Sequence, residues 1–254
     1  MSAHTKIAVL LSTYNGEKFL AEQLDSLLAQ SHKNFILVVR DDGSHDRTVS
    51  ILESYASDHS EKICLLSPGG ENRGASGGFA FLVNYVITNK ESLGLTSSYM
   101  MFCDQDDTWY PQKIEKLLAA MLATEASNDS ALPILVHSDL EVVSEQNTVI
   151  AKSLIHYQGL EIERNSFTNL VISNLVTGCT ALINESLAEK ALPIPENAIM
   201  HDWWLALVAT AFGKLVYLDI PLVHYRQHSN NAIGAKKFTK VSVVSMSLWR
   251  RILA

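Results

Sequence analysis

The chain reads as an α/β protein with a mixed, mostly parallel central sheet covered by helices on both faces. Two observations carry this. Short continuous apolar runs alternate four times with stretches whose apolar residues recur at helical spacing. The polar clusters STYNGE, RDDGSHD, GGENRG and DQDD each follow one of those runs, and in parallel sheets ligands collect beyond the carboxyl ends of strands.

In order, IAVLL (residues 7–11) precedes a segment with Leu20, Leu24, Leu27 and Leu28 on one face. FILVV (35–39) precedes a helical pattern with Ile51, Leu52 and Tyr55, and ICLL (63–66) one with Phe79, Leu82, Val83 and Val86. YMMFC (99–103) precedes a fourth, starting near Pro111, with Ile114, Leu117, Leu118 and Met121. Strands without polar alternation are buried on both faces, which strand–helix alternation achieves by layering helices over a parallel sheet. From Ser130 the pattern changes. ILVHSD and TGCTALI read as strands, DWWLALVATAF as a helix, and LVYL and LVHYR as two further strands. No linker rich in Gly, Pro or Ser separates the halves. The tail VSVVSMSLWRRILA, with Leu248, Trp249, Arg250, Arg251, Ile252 and Leu253, reads as an amphipathic segment suited to a membrane surface or to packing.

The 254 residues give room for one large domain or two small ones, at an ordinary 47% hydrophobic and 19% charged. A net charge of −7 argues against a nucleic-acid-binding protein, which needs a basic face. Cys64, Cys103 and Cys179 are odd in number and lack C-x-x-C spacing. That argues against a disulfide framework or a zinc site and fits a reducing cytoplasm. The start MSAHTKIAVLL lacks the apolar stretch of a signal peptide. WWLALVATAF falls short of the roughly 20 apolar residues that span a bilayer. The expectation is a cytoplasmic protein, with peripheral contact to the inner face of the membrane left open.

The chemistry concentrates in FCDQDDTWYPQK, where Asp104, Asp106 and Asp107 fall within four positions. Carboxylates this close repel one another unless a cation or a set of donors sits among them. One reading is a solvated loop that caps the next helix. The other is a strand-end site for Mg²⁺ or Mn²⁺, whose hard oxygen shell phosphate groups complete. The three similar clusters at neighbouring strand ends favour the second.

Together with LLSTYNGEKFL, VVRDDGSHDRT, NRGASGGF and HDWW, in this order, the stretch resembles the family 2 glycosyltransferases of the GT-A fold over residues 6–231. The fuller form FCDQDDTW and the late YRQHSNN are most similar to bacterial rhamnosyltransferases that build surface polysaccharides such as O-antigen. The resemblance implies a GT-A domain over 1–235, with a nucleotide-sugar half (about 1–125), an acceptor half (126–235) and a tail at 236–254. It implies that Thr13, Tyr14 and Glu17 contact base and ribose, that Asp42 bonds the pyrimidine edge, and that Asp104, with Gln105 beside it, faces the ribose. Asp106 would bind the metal that bridges the diphosphate, with His228 as a further ligand. Asp202 of HDWW would be the general base; taken alone it reads equally as a helix N-cap.

Other residues are read more plainly. Arg73 suits a phosphate or plain solvent, and Arg226 would offset diphosphate charge. Asp41 holds a turn, Asp107 caps the helix before Pro111 or orients the donor sugar, with the cap favoured, and Trp109 packs in the core. The remaining histidines are structural. Relatives often carry Asn before the Phe of the NxG…NF element, where this chain has Gly78 before Phe79, so close helix packing is expected there.

The implied activity is inverting, metal-dependent transfer of a sugar from a nucleotide-sugar donor, dTDP-L-rhamnose favoured, to a glycan acceptor that is lipid-linked. The alternatives are a UDP-glucose, UDP-galactose or UDP-N-acetylglucosamine transferase, a non-catalytic nucleotide- or glycan-binding module, and a nucleotidyltransferase. Against the module stands the intact set Asp104, Asp106 and Asp202. Against the last stands LLSTYNGEKFL, with one glycine where a triphosphate loop needs several.

Overall fold

The computed structural model describes residues 4–67, 72–128, 131–229, 231, 234, 235 and 237. The amphipathic tail read from the sequence lies outside them, Lys237 apart, as do Gly69, Gly70 and Glu71 of the third polar cluster.

The first half follows the expected alternation: β1 (Ile7–Thr13), α1 (Leu20–Leu28), β2 (Phe35–Asp41), α2 (Thr48–Asp58), β3 (Ile63–Leu65), α3 (Gly74–Thr88) and β4 (Tyr99–Cys103). A two-residue β5 (Thr108–Trp109) then precedes α4 (Lys113–Ala126). The second half holds β6 (Ile134–Ser144), β7 (Val149–Ala151), α5 (Leu154–Gln158), α6 (Phe167–Leu170), β8 (Ala181–Ile183), α7 (Glu185–Ala191), α8 (His201–Phe212) and β9 (Lys214–Gln227).

All the strands join one sheet in the order β3-β2-β1-β4-β8-β6-β9-β5, with β7 on β6. Pairing from β3 to β4 is parallel, which sends the chain ends of β1, β2 and β4 to the same edge. β8 runs antiparallel to both β4 and β6, and β6 with β9 restores a parallel pair. Sheet pleat sorts the side chains of β1 and β2 into two cores. Ile7, Val9, Leu11, Leu37 and Val39 pack with Leu24, Leu52, Ile114 and Leu118 of α1, α2 and α4. Ala8, Leu10, Ile36 and Val38 pack on the other face with Phe79, Leu82, Val83, Leu205 and Ala206 of α3 and α8. Each buried Leu or Ile contributes about 1.5–3 kcal/mol, and that sum fixes which helix covers which face.

Two expectations change. TGCTALI is strand only at Ala181–Ile183, because Gly178–Thr180 form a 3-10 turn that carries the chain under the cleft. LVYL and LVHYR are one strand, β9. Pro221 sits where the pairing with β6 shifts register at Asp139, so its missing N–H costs no regular ladder bond. The short elements β5, β7 and α5 to α7 hold too few residues for a period to register.

α8 passes into β9 at Gly213, where a Cβ would lie 1.8 Å from the Pro133 carbonyl oxygen, the acceptor for the Lys214 N–H. Neither side of that contact is a flexible side chain. Gly213→Ala is therefore expected to lower unfolding free energy by about 1–3 kcal/mol, as overpacking does, read as a lower urea midpoint with an unchanged slope.

Candidate active site

A cleft of about 560 Å³ opens over the ends of β1, β2 and β4 and runs beneath α8. Its wall includes Thr13, Tyr14, Asp42, Asp104, Gln105, Asp106 and Asp202. His228 joins through Asp106, its Nε2 lying 2.8 Å from Oδ2. Glu17 and Arg73 are not part of the described wall. The Glu17 carboxylate accepts from the backbone N–H and Nε of Arg47 at 3.0 and 3.2 Å, and the Arg73 guanidinium lies over the Phe81 ring.

Much of the polar set braces loops. The Asp41 carboxylate accepts from Thr13 Oγ1, Ser44 Oγ and the N–H groups of Gly43 and Ser44, the turn that its position suggests. Gly43 adopts φ +87° there, a conformation that glycine takes without a Cβ penalty. Asp42 accepts from Arg40 and from the N–H groups of Arg73 and Gly74 at the start of α3. Gln105 clasps the backbone of Tyr14 with both ends of its amide, Oε1 accepting at 2.9 Å and Nε2 donating at 3.0 Å. The loops after β1 and β4 are thus one unit, and Gly16 is where a Cβ would strike that amide, 2.3 Å from Oε1. Gly78 meets its expectation of close packing: a Cβ would fall 2.4 Å from Ser12 Oγ on β1.

Two sequence-based roles are corrected. Arg226 is buried and turned away from the cleft. It donates to the backbone oxygens of Asp106 and Glu145 and to the Glu22 carboxylate, with its guanidinium over Phe19. Spent on those acceptors, it holds the Asp106 loop rather than offsetting a diphosphate. Asp107 caps no helix, because α4 starts at Lys113 with Gln112 before it. Instead Asp107 is fully buried, Oδ1 accepting from the Arg226 N–H at 3.0 Å and Oδ2 without a hydrogen-bond partner among the described residues.

Lys113 reaches under the same loop, fully buried, donates to the Cys179 carbonyl and stands 3.1 Å from the Trp109 ring centre. Trp109 itself is buried in the core, as expected. Asp202 is also not an N-cap. Met200 occupies that position, and the Asp202 carboxylate accepts instead from the N–H groups of Gly178 (2.7 Å) and Trp203 (2.6 Å) and from Asn174 Nδ2.

Burial sets the electrostatics. It raises Asp104 to about 7, with the charges of Asp106 and Asp202 adding to the effect, and raises Asp202 to about 6. Asp107 is pushed well above the carboxylate range by burial and then by Asp106 and Asp104. Burial lowers Lys113 to about 7. Among the described residues no Lys or Arg lines the cleft. Four carboxylates face it.

Asp104, Asp107 and Cys179 each offer a ligand atom within 4.8 Å of the others. Burial raises the Cys179 thiol well above its usual range, and a protonated thiol suits a hard cation poorly. Asp106 and His228 offer oxygen and nitrogen at the cleft itself, and Phe19 packs its ring 4.8 Å from the imidazole.

His201 was set aside in the sequence as structural, yet it lines the cleft beside Asp202. Its position inside HDWW was the available signal. Asn231, the last residue of the quoted YRQHSNN, was given no role of its own, yet it lines the cleft and accepts the His228 N–H at 2.6 Å.

A curled mixed sheet with acidic strand-end loops and a helix-borne carboxylate across one cleft is the GT-A arrangement of a glycosyltransferase. Residues 8–190 match Glycosyl transferase family 2, and the chain belongs to that family. It is 27% identical over 254 residues to the dTDP-rhamnosyl transferase RfbG of Shigella flexneri, spanning 95% of this chain and 81% of that one. The fold is that of S. aureus TarS 1-349, solved in complex with UDP-GlcNAc: TM-score 0.63, 18% identity, 92% of this chain and 62% of that chain. It is likewise that of the mannosyltransferase PcManGT from Pyrobaculum calidifontis, solved with GDP-Man and Mn²⁺: TM-score 0.60, 15% identity, 90% and 58%. Among the described residues no helix is long and apolar enough to cross a membrane.

Asp107 gives a stability test. Its folded-state pKa is raised, so its contribution is full below the unfolded value near 4 and is lost as pH rises towards the raised value. Asp107→Asn should therefore gain on wild type between pH 5 and pH 8, by at most about 1.4 kcal/mol per pH unit. Urea unfolding of both proteins in EDTA at the two pH values reads the difference.

Proposed function

We propose that the chain is an inverting, metal-dependent glycosyltransferase that moves L-rhamnose from dTDP-L-rhamnose onto a lipid-linked glycan acceptor during cell-surface polysaccharide synthesis. The observation that carries the transfer chemistry is the Asp202 carboxylate across one cleft from Asp104 and Asp106. Support for the sugar comes from the likeness to RfbG, and the halves 1–125 and 126–235 serve donor and acceptor in this reading. The fold is shared with a protein solved with UDP-GlcNAc, so a UDP-sugar is the alternative donor. Peripheral contact with the inner membrane face belongs to the proposal through the acceptor alone.

The need for a cation follows from charge. A diphosphate entering a wall of four carboxylates, of which Arg40 pairs only Asp42, would meet net repulsion, since no Lys or Arg lines it among the described residues. The donor atoms fit a hard divalent ion, Mg²⁺ or Mn²⁺, with Asp106 and His228 holding it. Such an ion supplies stabilisation of the charge that grows on the departing diphosphate. The protein's own residues do the rest. Thr13, Tyr14 and Asp42 line the place for the nucleoside, Asp104 orients the ribose, and Gln105 and Arg226 keep the two loops in register. Asp202, fixed by the Gly178 and Trp203 amides, takes the proton of the acceptor hydroxyl as that oxygen bonds to the sugar carbon.

Two measurements test this. In excess EDTA transfer should stop and return on adding Mn²⁺, and Asp106→Ala should lose both turnover and cation-dependent nucleotide binding. Full activity in EDTA would falsify the metal requirement. Asp202→Asn should bind donor as wild type does and transfer sugar about 10²–10⁴-fold more slowly. The base works deprotonated, so at saturating Mn²⁺ the wild-type rate should fall as pH drops through about 6. A variant as fast as wild type removes Asp202 from the chemistry.

A further inference from the structure

We propose that His201 is a specificity-determining residue that hydrogen-bonds a hydroxyl of the transferred sugar through a ring nitrogen. The inference rests on the glycosyltransferase reading above and goes beyond it by naming the group that reads the sugar.

The side chain is 2% exposed and lines the cleft, yet neither Nδ1 nor Nε2 has a hydrogen-bond partner among the described residues. Buried polar atoms are nearly always paired, and leaving two on one ring carries the penalty of both. Its position is not loose. The imidazole lies 4.3 Å from the Phe79 ring and 4.9 Å from the Phe102 ring, centre to centre, and those rings stand 5.6 Å apart, so α3 and β4 seat it in an aromatic corner. Gly178 keeps the approach to Nε2 open, since a Cβ there would sit 3.0 Å from that atom. A ring seated in an aromatic corner, on a cavity wall and with both nitrogens unpaired among the described residues, is prepared for a ligand that enters the cavity.

The chemistry of the edge selects the ligand. Burial keeps the imidazole neutral by lowering it to about 3, so it presents one N–H and one lone pair. A phosphate oxygen only accepts and so suits the N–H nitrogen alone. A sugar hydroxyl donates or accepts and so suits whichever nitrogen faces the cleft. Geometry separates transferred sugar from acceptor. The aromatic corner belongs to α3 and β4, whose strand-end loops line the donor side in this reading, while Asp202 follows His201 directly in the chain. The group bridging the two is the sugar that lies between diphosphate and base.

The test compares nucleotide sugars with their bare diphosphates by calorimetric titration at saturating Mn²⁺, using dTDP-L-rhamnose against dTDP and UDP-GlcNAc against UDP. His201→Phe keeps the aromatic stack and removes both nitrogens. It should weaken binding of the preferred nucleotide sugar at least about tenfold, leave the diphosphate within about twofold, and be partly rescued by His201→Gln. Equal affinity of the Phe variant and wild type for the nucleotide sugar would overturn the proposal. Should the Phe variant not fold, ¹⁵N-imidazole spectra of wild type decide, with the His201 signal assigned by its loss in His201→Gln. That signal should move with nucleotide sugar and not with diphosphate, and a signal that moves with neither overturns the inference. Wild type that binds none of the four ligands overturns the glycosyltransferase reading itself, an outcome distinct from a silent histidine.

Discussion

Everything about this cleft follows from a surplus of negative charge in a poorly solvated place. Asp42, Asp104, Asp106 and Asp202 line it and Asp107 lies buried behind it, with no Lys or Arg on the described wall. Like charges held together out of water raise one another's affinity for protons, as Asp104 and Asp107 do here. The folded chain tolerates this through fixed donors. Amide N–H groups of Arg73, Gly74, Gly178, Trp203 and Arg226 each point at one of these carboxylates. Lys113 lies beneath the acidic loop, although burial weakens its hold on a proton. What these donors leave uncompensated on Asp104 and Asp106 is the attraction that a divalent cation and a diphosphate can answer together.

Sheet topology makes the surplus possible. Because β1, β2 and β4 run parallel, their ends fall at one edge and bring STYNGE, RDDGSHD and DQDD to one rim. The antiparallel β8 then returns the chain so that the turn at Gly178–Thr180 passes beneath that rim and supplies an amide to Asp202. Neither half holds a complete set of groups. The strand-end acids and Asp202 meet only because α8 packs across the same face that α3 covers.

Several polar residues that look like ligands are structural, and the difference lies in their partners. Arg226 has the charge to meet a phosphate, but three acceptors and an aromatic face consume its guanidinium. Gln105 sits inside the acidic motif and yet serves as a strut between two loops. His201 is the reverse case, a residue with a structural look whose ring nitrogens have no hydrogen-bond partner among the described residues. Rigid loops around mobile ligands are what a transferase needs, because orientation of donor and acceptor supplies much of the rate.

Period and position in the chain were enough to give the strand–helix order of residues 7–126, the acidic strand ends and the pairing of Asp106 with His228 through the motif resemblance. These depend on neighbours in the sequence, where apolar spacing reports which face is buried. The union of LVYL and LVHYR into β9, the burial of Asp107, the turning away of Arg226 and the unpaired edge of His201 could not be read that way. Each depends on contacts between residues far apart in the chain: Asp139 with Pro221, Asp107 with Arg226, Arg226 with Glu22, His201 with Phe79. A side chain's type states which bonds it can make. Only the packed chain settles which of them are already taken, and at this cleft that distinction separates a brace from a ligand.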